Sequence, residues 1–402
     1  MEILKKIQLD NGIKLIYHKV NRNITSFCIG FNAGACKETE KEIGLSHVVE
    51  HMIFKGTKKR SEFEINECFD ELYGFNNAMT NFPYAIYYGT TLSENFEAAF
   101  ELYSDILVNP TFMEAGFEEE INVILEELKE WKDDNFQFCE DEMLKNAFKK
   151  RRIKEGIIGT VESIKTFKRD DVESFYNKYY TSKNCVICVV TNLELELVAQ
   201  IIEKYMNGIS NSNVENNVVI YENNKAGIFE SHKEGMQGAK LQYIFDIQNL
   251  SNRELSALKI FNLKFGEGTS SILYDEIRTK NELAYEVFSK IKYEEGIKLF
   301  TICAGTSKEN VEKAIKIINN IINNYNTLEA YFNDETIGKI IKRLKLKDEL
   351  AVEKSIELAK KVSTNEIMFG IPVLENIDNI TKDEIIDTIK KVLNKPTIQI
   401  LS

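Results

Sequence analysis

Two stretches of this chain run through the same order of elements, and that recurrence constrains the fold more than any single residue. Ala78–Leu107 and Ala284–Ile322 each read as a strand-like stretch, a Thr or Ser turn with a nearby Glu, and an amphipathic helix. A chain that repeats a supersecondary unit builds similar bodies around separate cores. The expected fold is therefore α+β, with two similar domains related by internal duplication, each an antiparallel sheet packed against helices. The 402 residues are enough for two domains of ordinary size. A content of 43% hydrophobic residues and only 4 Pro suits packed protein rather than disordered chain. The polar run 207–224, which opens Asn-Gly-Ile-Ser-Asn-Ser-Asn, is the linker candidate. It divides the chain into domains 1–206 and 225–402.

Within the first part, Ile7–Tyr17 and Thr25–Asn32 alternate apolar and polar around an Asp10-Asn11-Gly12 turn and predict a hairpin. Helical spacing predicts helices over Gly44–Phe54, Ser61–Tyr73, Glu94–Leu107, Phe117–Trp131 and Asp170–Tyr180, with strands over Asn77–Thr90 and Asn184–Thr191. After the linker, strands are expected at Ala239–Ile247, Ala284–Lys292 and Lys298–Ala304. Helices are expected at Asn252–Phe265, Ile272–Thr279, Glu309–Tyr325 and Asn333–Lys361.

Charge and apolar runs exclude some functions. The 51 basic and 63 acidic residues leave a formal charge of −12, spread along the chain. Such a surface repels nucleic-acid phosphate and anionic membranes and attracts basic peptides, so neither nucleic acid nor membrane is an expected partner. No stretch approaches the roughly 18 consecutive apolar residues of a membrane span, and the start of the chain alternates like a strand without an apolar signal core. The 7 Cys are odd in number and sit mostly in apolar runs, which predicts reduced core thiols and a cytoplasmic setting.

Only 4 His occur in the chain, and two of them share His47-Val48-Val49-Glu50-His51. Residues four apart share one face of a helix, so both imidazoles can point at one metal ion. Glu50 lies one step from His51 and three from His47, placed to take a proton from a water without itself ligating. Leu45, Val48, Val49, Met52 and Ile53 would bury the rest of that helix. Spacing of this kind, inverted from the commoner zinc motif, is that of the inverzincin peptidases. A third protein ligand is needed, and a carboxylate is the expected type. The helix Phe117–Trp131 has an apolar stripe at Phe117, Ile121, Ile124, Leu128 and Trp131, flanked by Glu120 and Glu127, which are seven apart and on one face. Residue pattern alone leaves both open, and an acidic helix is more often a solvated face than a metal site.

Gly44-Leu-Ser-His47-Val-Val-Glu50-His51-Met-Ile-Phe-Lys-Gly-Thr-Lys-Lys-Arg60-Ser resembles the signature of the pitrilysin and insulin-degrading enzyme family, especially its mitochondrial processing peptidase branch. The resemblance covers nearly the whole chain. It implies one Zn²⁺ per chain, held by His47, His51 and Glu127, with Glu50 as general base. Glu120 falls where the family has a glutamate just outside the ligand set. Asn77-Ala78-Met79-Thr80, followed by Tyr87-Tyr88, resembles the family's substrate-binding edge strand. In the second half, Glu276-Ile-Arg278-Thr-Lys-Asn-Glu-Leu-Ala-Tyr285 resembles its Arg and Tyr pair, which assists the substrate carbonyl from the opposite domain. The family works through a chamber of four such domains. This implies a peptide substrate and a homodimer, or a heterodimer with a related chain.

Asn81-Phe82-Pro83-Tyr84-Ala85 departs from the family's polar run, and Pro83 is expected inside an edge strand. Cys185-Val-Ile-Cys188 has metal or redox spacing, but in a strand positions three apart face opposite sides, so two core thiols are expected. The expected function is a zinc metallo-endopeptidase acting on short or unfolded peptides. Its competitor is a non-catalytic partner subunit of a heterodimeric processing peptidase.

Overall fold

In the first half, alternating apolar residues build β1 (Lys5–Gln8), β2 (Lys14–Lys19), β3 (Ile24–Phe31), β4 (Phe75–Thr80), β5 (Ala85–Leu92) and β6 (Cys185–Thr191). These form one sheet in the order β1-β2-β6-β3-β5-β4. The second half builds β7 (Gly227–Ser231), β8 (Ala239–Asp246), β9 (Ala284–Lys292), β10 (Leu299–Thr306) and β11 (Thr397–Leu401), in the order β7-β11-β8-β10-β9. With β1 set aside, the two orders correspond strand for strand, and β4 and β9 are both edges. The computed structural model describes residues 4–214, 219–371 and 377–402. Residues 215–218 of the expected linker thus lie outside the described residues.

Two expectations about pairing are corrected. The turn at Asp10–Gly12 joins β1 to β2 (Lys5↔Tyr17 to Gln8↔Lys14), while β6 separates β2 from β3. The reason lies in β6 itself, buried along its whole length, which requires a neighbour on each side. The sheets are also mixed rather than antiparallel throughout, because β2 with β6 and β7 with β11 run parallel. A parallel pair needs a long crossover, and most of each half lies between those partners.

The helices are α1 (Leu45–Ile53), α2 (Glu62–Leu72), α3 (Phe96–Val108), α4 (Glu114–Asp133), α5 (Asn135–Ala147), α6 (Val161–Thr166), α7 (Arg169–Tyr179) and α8 (Leu195–Met206). After the linker come α9 (Asn252–Phe265), α10 (Val311–Asn323), α11 (Tyr325–Glu329), α12 (Asp334–Glu353), α13 (Ser355–Phe369) and α14 (Lys382–Val392). The segment Tyr274–Thr279, expected to be α-helical, winds more widely, with Lys280 N–H reaching the carbonyl of Asp275. Among the described residues no helix is long and apolar enough to cross a membrane.

The strands of each sheet come from one side of 207–224, but the two compact units exchange a segment each. Glu130–Glu155 belongs to the second unit, and the stretch from Leu350 through α13 belongs to the first. Instead of one helix over Asn333–Lys361, the chain breaks at Lys354, whose backbone is extended. The cause is packing. Ile356, Ala359 and Val362 of α13 bury against Ile16, Cys28, Ile86 and Cys188 of the first sheet. The α4–α5 break is built the same way: the Asp134 side chain caps α5 by accepting from the N–H groups of Phe136 and Gln137. Cys139 of α5 then packs with Met236 and Leu401 in the second unit.

The first unit buries Phe27 edge-on against Phe96, Phe100 and Tyr103. The second buries Leu258, Phe261 and Phe265 of α9 with Phe245 and Phe300. Each fully buried ring of this size contributes about 1.5–3 kcal/mol. Pro83 proves to lie in the turn between β4 and β5, not in a strand. There its missing N–H costs no ladder bond.

Candidate metal centre

Helix α1 begins without a side-chain cap of its own. Gly44, at φ +98°, turns the chain so tightly that a Cβ there would sit 2.4 Å from the carbonyl oxygen of Ile158. Glu38 supplies the missing acceptor, taking the N–H of Gly44 (3.0 Å), the N–H of Ser46 (2.8 Å) and the Ser46 hydroxyl (2.6 Å). Leu45, Val48, Val49, Met52 and Ile53 are buried and set the helix's rotation. That register brings His47 and His51 to one side, with ring centroids 4.5 Å apart.

Helix α4 meets this face. Its stripe residues Phe117, Ile124 and Leu128 are buried, which places Glu120 in the interior and leaves Glu127 half-buried. Glu118, Glu119, Glu126 and Glu130 face solvent. Glu127 Oε1 lies 3.7 Å from His47 Nε2, and Oε2 lies 3.5 Å from His51 Nε2. One donor atom from each of the three residues lies within 4.8 Å of the other two. Ligands about 2.0–2.1 Å from a tetrahedral zinc ion are about 3.3 Å apart, so the set fits that ion in both chemistry and spacing. Glu120 Oε1 sits 2.8 Å from His51 Nδ1, so a proton held on Nδ1 leaves the Nε2 lone pair facing Glu127. His47 Nδ1 is buried without a hydrogen-bond partner among the described residues.

The titration of the cluster follows from these contacts. Burial, and then the charge of His51, lower His47 to about 4. Burial also opposes a charge on His51, but hydrogen bonds to Glu120 and Glu127 outweigh it and lift the group to about 9. Glu120 is held down at about 2, chiefly by His51 and then, against its burial, by Lys55. Glu50 is shifted upward by burial, although the Thr80 hydroxyl donates to its Oε2 at 2.5 Å and pulls the other way. Lys55 joins Glu120 Oε2 (2.8 Å) to Glu62 (2.8 Å), a contact the motif reading missed. Lys55 lies in the turn just past the end of α1, beyond the reach of helical spacing.

The edge strand β4 ends at this cluster. Thr80 points to α1, so alternation sends Ala78 to the same face, while Met79 packs on the opposite face and Asn77 shares it. Asn81 N–H bonds back to Tyr84, so the N–H of Ala78 faces the open edge, where the Asn77 side chain accepts it at 2.8 Å. Arg278 and Tyr285 belong to the second unit. Arg278 Nη1 donates to the Tyr285 carbonyl at 2.7 Å, with its guanidinium 5.0 Å from the Tyr274 ring centre. The Tyr285 ring, at the start of edge strand β9, is 87% exposed. Cys185 and Cys188 are buried in β6, and all seven cysteines are free thiols.

Paired, duplicated sheets with a His-x-x-Glu-His helix facing an acidic helix define the class of inverted-motif, metallopeptidase-like proteins. "Insulinase (Peptidase family M16)" matches residues 15–161, and "Peptidase M16 inactive domain" matches residues 166–344. The chain belongs to this M16, or pitrilysin, family, in its processing-peptidase-like branch. It is 27% identical to a Rickettsia bellii protein named an uncharacterized zinc protease, over 96% of this chain and 94% of that one. It is 34% identical to the mitochondrial-processing peptidase subunit beta of Dictyostelium discoideum, over 50% of this chain and 43% of that one. In fold it matches a solved protease from Helicobacter pylori with a TM-score of 0.90 at 19% identity, covering 100% of both chains.

Proposed function

We propose that the chain is a zinc metallo-endopeptidase that cleaves short or unfolded peptides, with one Zn²⁺ per chain on His47, His51 and Glu127. The observation that carries this reading is the convergence of those three donors beside the half-buried carboxylate of Glu50. Bound there, Zn²⁺ would act as a Lewis acid toward a peptide carbonyl and lower the pKa of water. Glu50 takes the water's proton and passes it to the leaving amine, a task suited to a carboxylate whose proton affinity burial has raised. The open edge of β4, Asn77–Thr80, takes an extended peptide through main-chain hydrogen bonds that do not read side chains. Arg278 and the exposed Tyr285 would donate to the developing oxyanion from a second copy of the chain, in a homodimer or with a related partner. Seven free thiols suit a reducing, cytoplasmic compartment.

The alternative, a non-catalytic partner subunit, draws support from the inactive-domain description of 166–344. That stretch contains neither histidine of the cluster nor Glu127, so it does not weigh against the first half. One substitution tests the reading. Glu50→Gln should retain about one zinc per chain and lose nearly all peptidase activity, because an amide cannot accept the proton. Full activity in a folded Glu50→Gln protein would remove Glu50 as the base.

A further inference from the structure

Glu50 is the one polar group of the cluster that is held from a strand instead of a helix. Its Oε2 accepts the Thr80 hydroxyl at 2.5 Å, and the Thr80 main-chain N–H also stabilises its charge. Thr80 is itself buried, at the end of edge strand β4, and its position is fixed by the pairing Thr80↔Ala85. A glutamate has three rotatable side-chain bonds and would otherwise reorient freely within its pocket.

We propose that Thr80 is a positioning residue for Glu50: its hydroxyl anchors one carboxylate oxygen and so presents the other to the reacting water. The inference rests on the peptidase reading and adds a role to a residue placed above only in the substrate strand. Thr80→Val removes the donor at nearly constant volume, and Thr80→Ser keeps it. Misorientation of a reacting group costs up to about 100-fold in rate. Thr80→Val should therefore lower kcat about 10–100-fold, with KM within about 2-fold and zinc affinity unchanged in chelator competition. Thr80→Ser should remain within about 3-fold of wild type, because the anchoring hydroxyl is kept. Combined with Glu50→Gln, Thr80→Val should cost nothing further, since the two act as one unit. If the valine protein does not fold, Thr80→Ala makes no steric demand and carries the same expectation.

Wild-type kcat in the folded valine or alanine protein overturns the proposal. So does a serine protein as slow as the valine one, or a loss confined to KM. If Glu50→Gln is inert while Thr80→Val is normal, only the role of Thr80 falls. If Glu50→Gln is active, the peptidase mechanism falls with it.

Discussion

Helix α1 follows strand β3, and helix α9 follows β8, the corresponding strand of the second sheet. The two occupy matching places in the chain order and carry opposite contents. α1 brings His47, Glu50 and His51 to one face, whereas α9 offers Leu255, Leu258, Ile260 and Phe261. At the end of α9 polar side chains pair with one another: the Ser289 hydroxyl donates to Asn262 Oδ1 at 2.6 Å, and Asn262 Nδ2 donates to Glu267 at 2.7 Å. In the first unit, three lone-pair donors face each other instead, an arrangement that a cation stabilises. The duplicated scaffold thus carries either an apolar core face or a cluster of candidate metal donors at this position. A few side chains decide between them.

The strongest way to break this comparison is to remove a donor. His47→Ala, His51→Ala and Glu127→Gln should each drop zinc well below one per chain and reduce peptidase activity by at least about 10³-fold, as loss of a zinc ligand implies. Glu126→Gln, on the solvent face of the same helix, should keep both; elemental analysis with an activity assay reads the difference. Equal metal loss in the Glu126 and Glu127 proteins would sink the ligand assignment.

A second test asks whether the half carrying the His47, His51 and Glu127 cluster needs the other half of a second chain. Glu50→Gln and a doubly substituted Arg278→Ala, Tyr285→Phe protein should each be inactive alone. After random exchange, half the dimers are mixed and each mixed dimer has one intact site, so about a quarter of wild-type activity should return. Pull-down of one tagged chain by the other establishes exchange. Mixed dimers that stay inactive would exclude a site completed in trans.

The third contrast separates stability from chemistry. Leu258→Ala in α9 empties a fully buried position and should cost about 2–5 kcal/mol in a denaturant melt while leaving zinc content unchanged. Zinc loss in that protein would mean that the second unit's core also shapes the metal site.

The smallest expected effect compares two lysine clasps. On α13, Glu366 pairs with Lys6 (2.5 Å) and Lys14 (3.1 Å); on α5, Glu140 pairs with Lys290 (3.1 Å) and Lys292. Burial pushes Glu140 up, but Lys292 and Lys290 outweigh it and hold the group below its usual 4.5. A depressed folded value means that the unfolded chain takes the proton first. The stabilisation is therefore complete above the ordinary carboxylate range and disappears as pH falls through the folded value. Glu140→Gln should cost about 1–2 kcal/mol near pH 7, discounted because both lysines are partly exposed, and the gap to wild type should close in acid. Melts that stay equally separated at low pH would assign the cost to packing instead.

Much of this molecule was written in local pattern. The spacing of His47 and His51 needs only a helix to place both rings on one face, and the buried stripe of α1 supplies that helix. The recurrence of strand, turn and helix carried the duplication, because each copy repeats its own periodicity. Spacing alone made Glu120 and Glu127 legible only as a pair, since seven-residue spacing puts both on one face, and the family resemblance supplied their separate expected roles. In the structure the approach of α4 to α1 sets them apart, Glu120 reaching Nδ1 of His51 and Glu127 the two Nε2 atoms. Tertiary structure likewise decided that β6 enters between β2 and β3, that α5 and α13 exchange units, and that Thr80 holds Glu50. Periodicity reports which face of an element is apolar, and that is settled within a few residues. It does not name the partner that covers the face, because partners far apart in sequence are chosen by the packing of the whole chain.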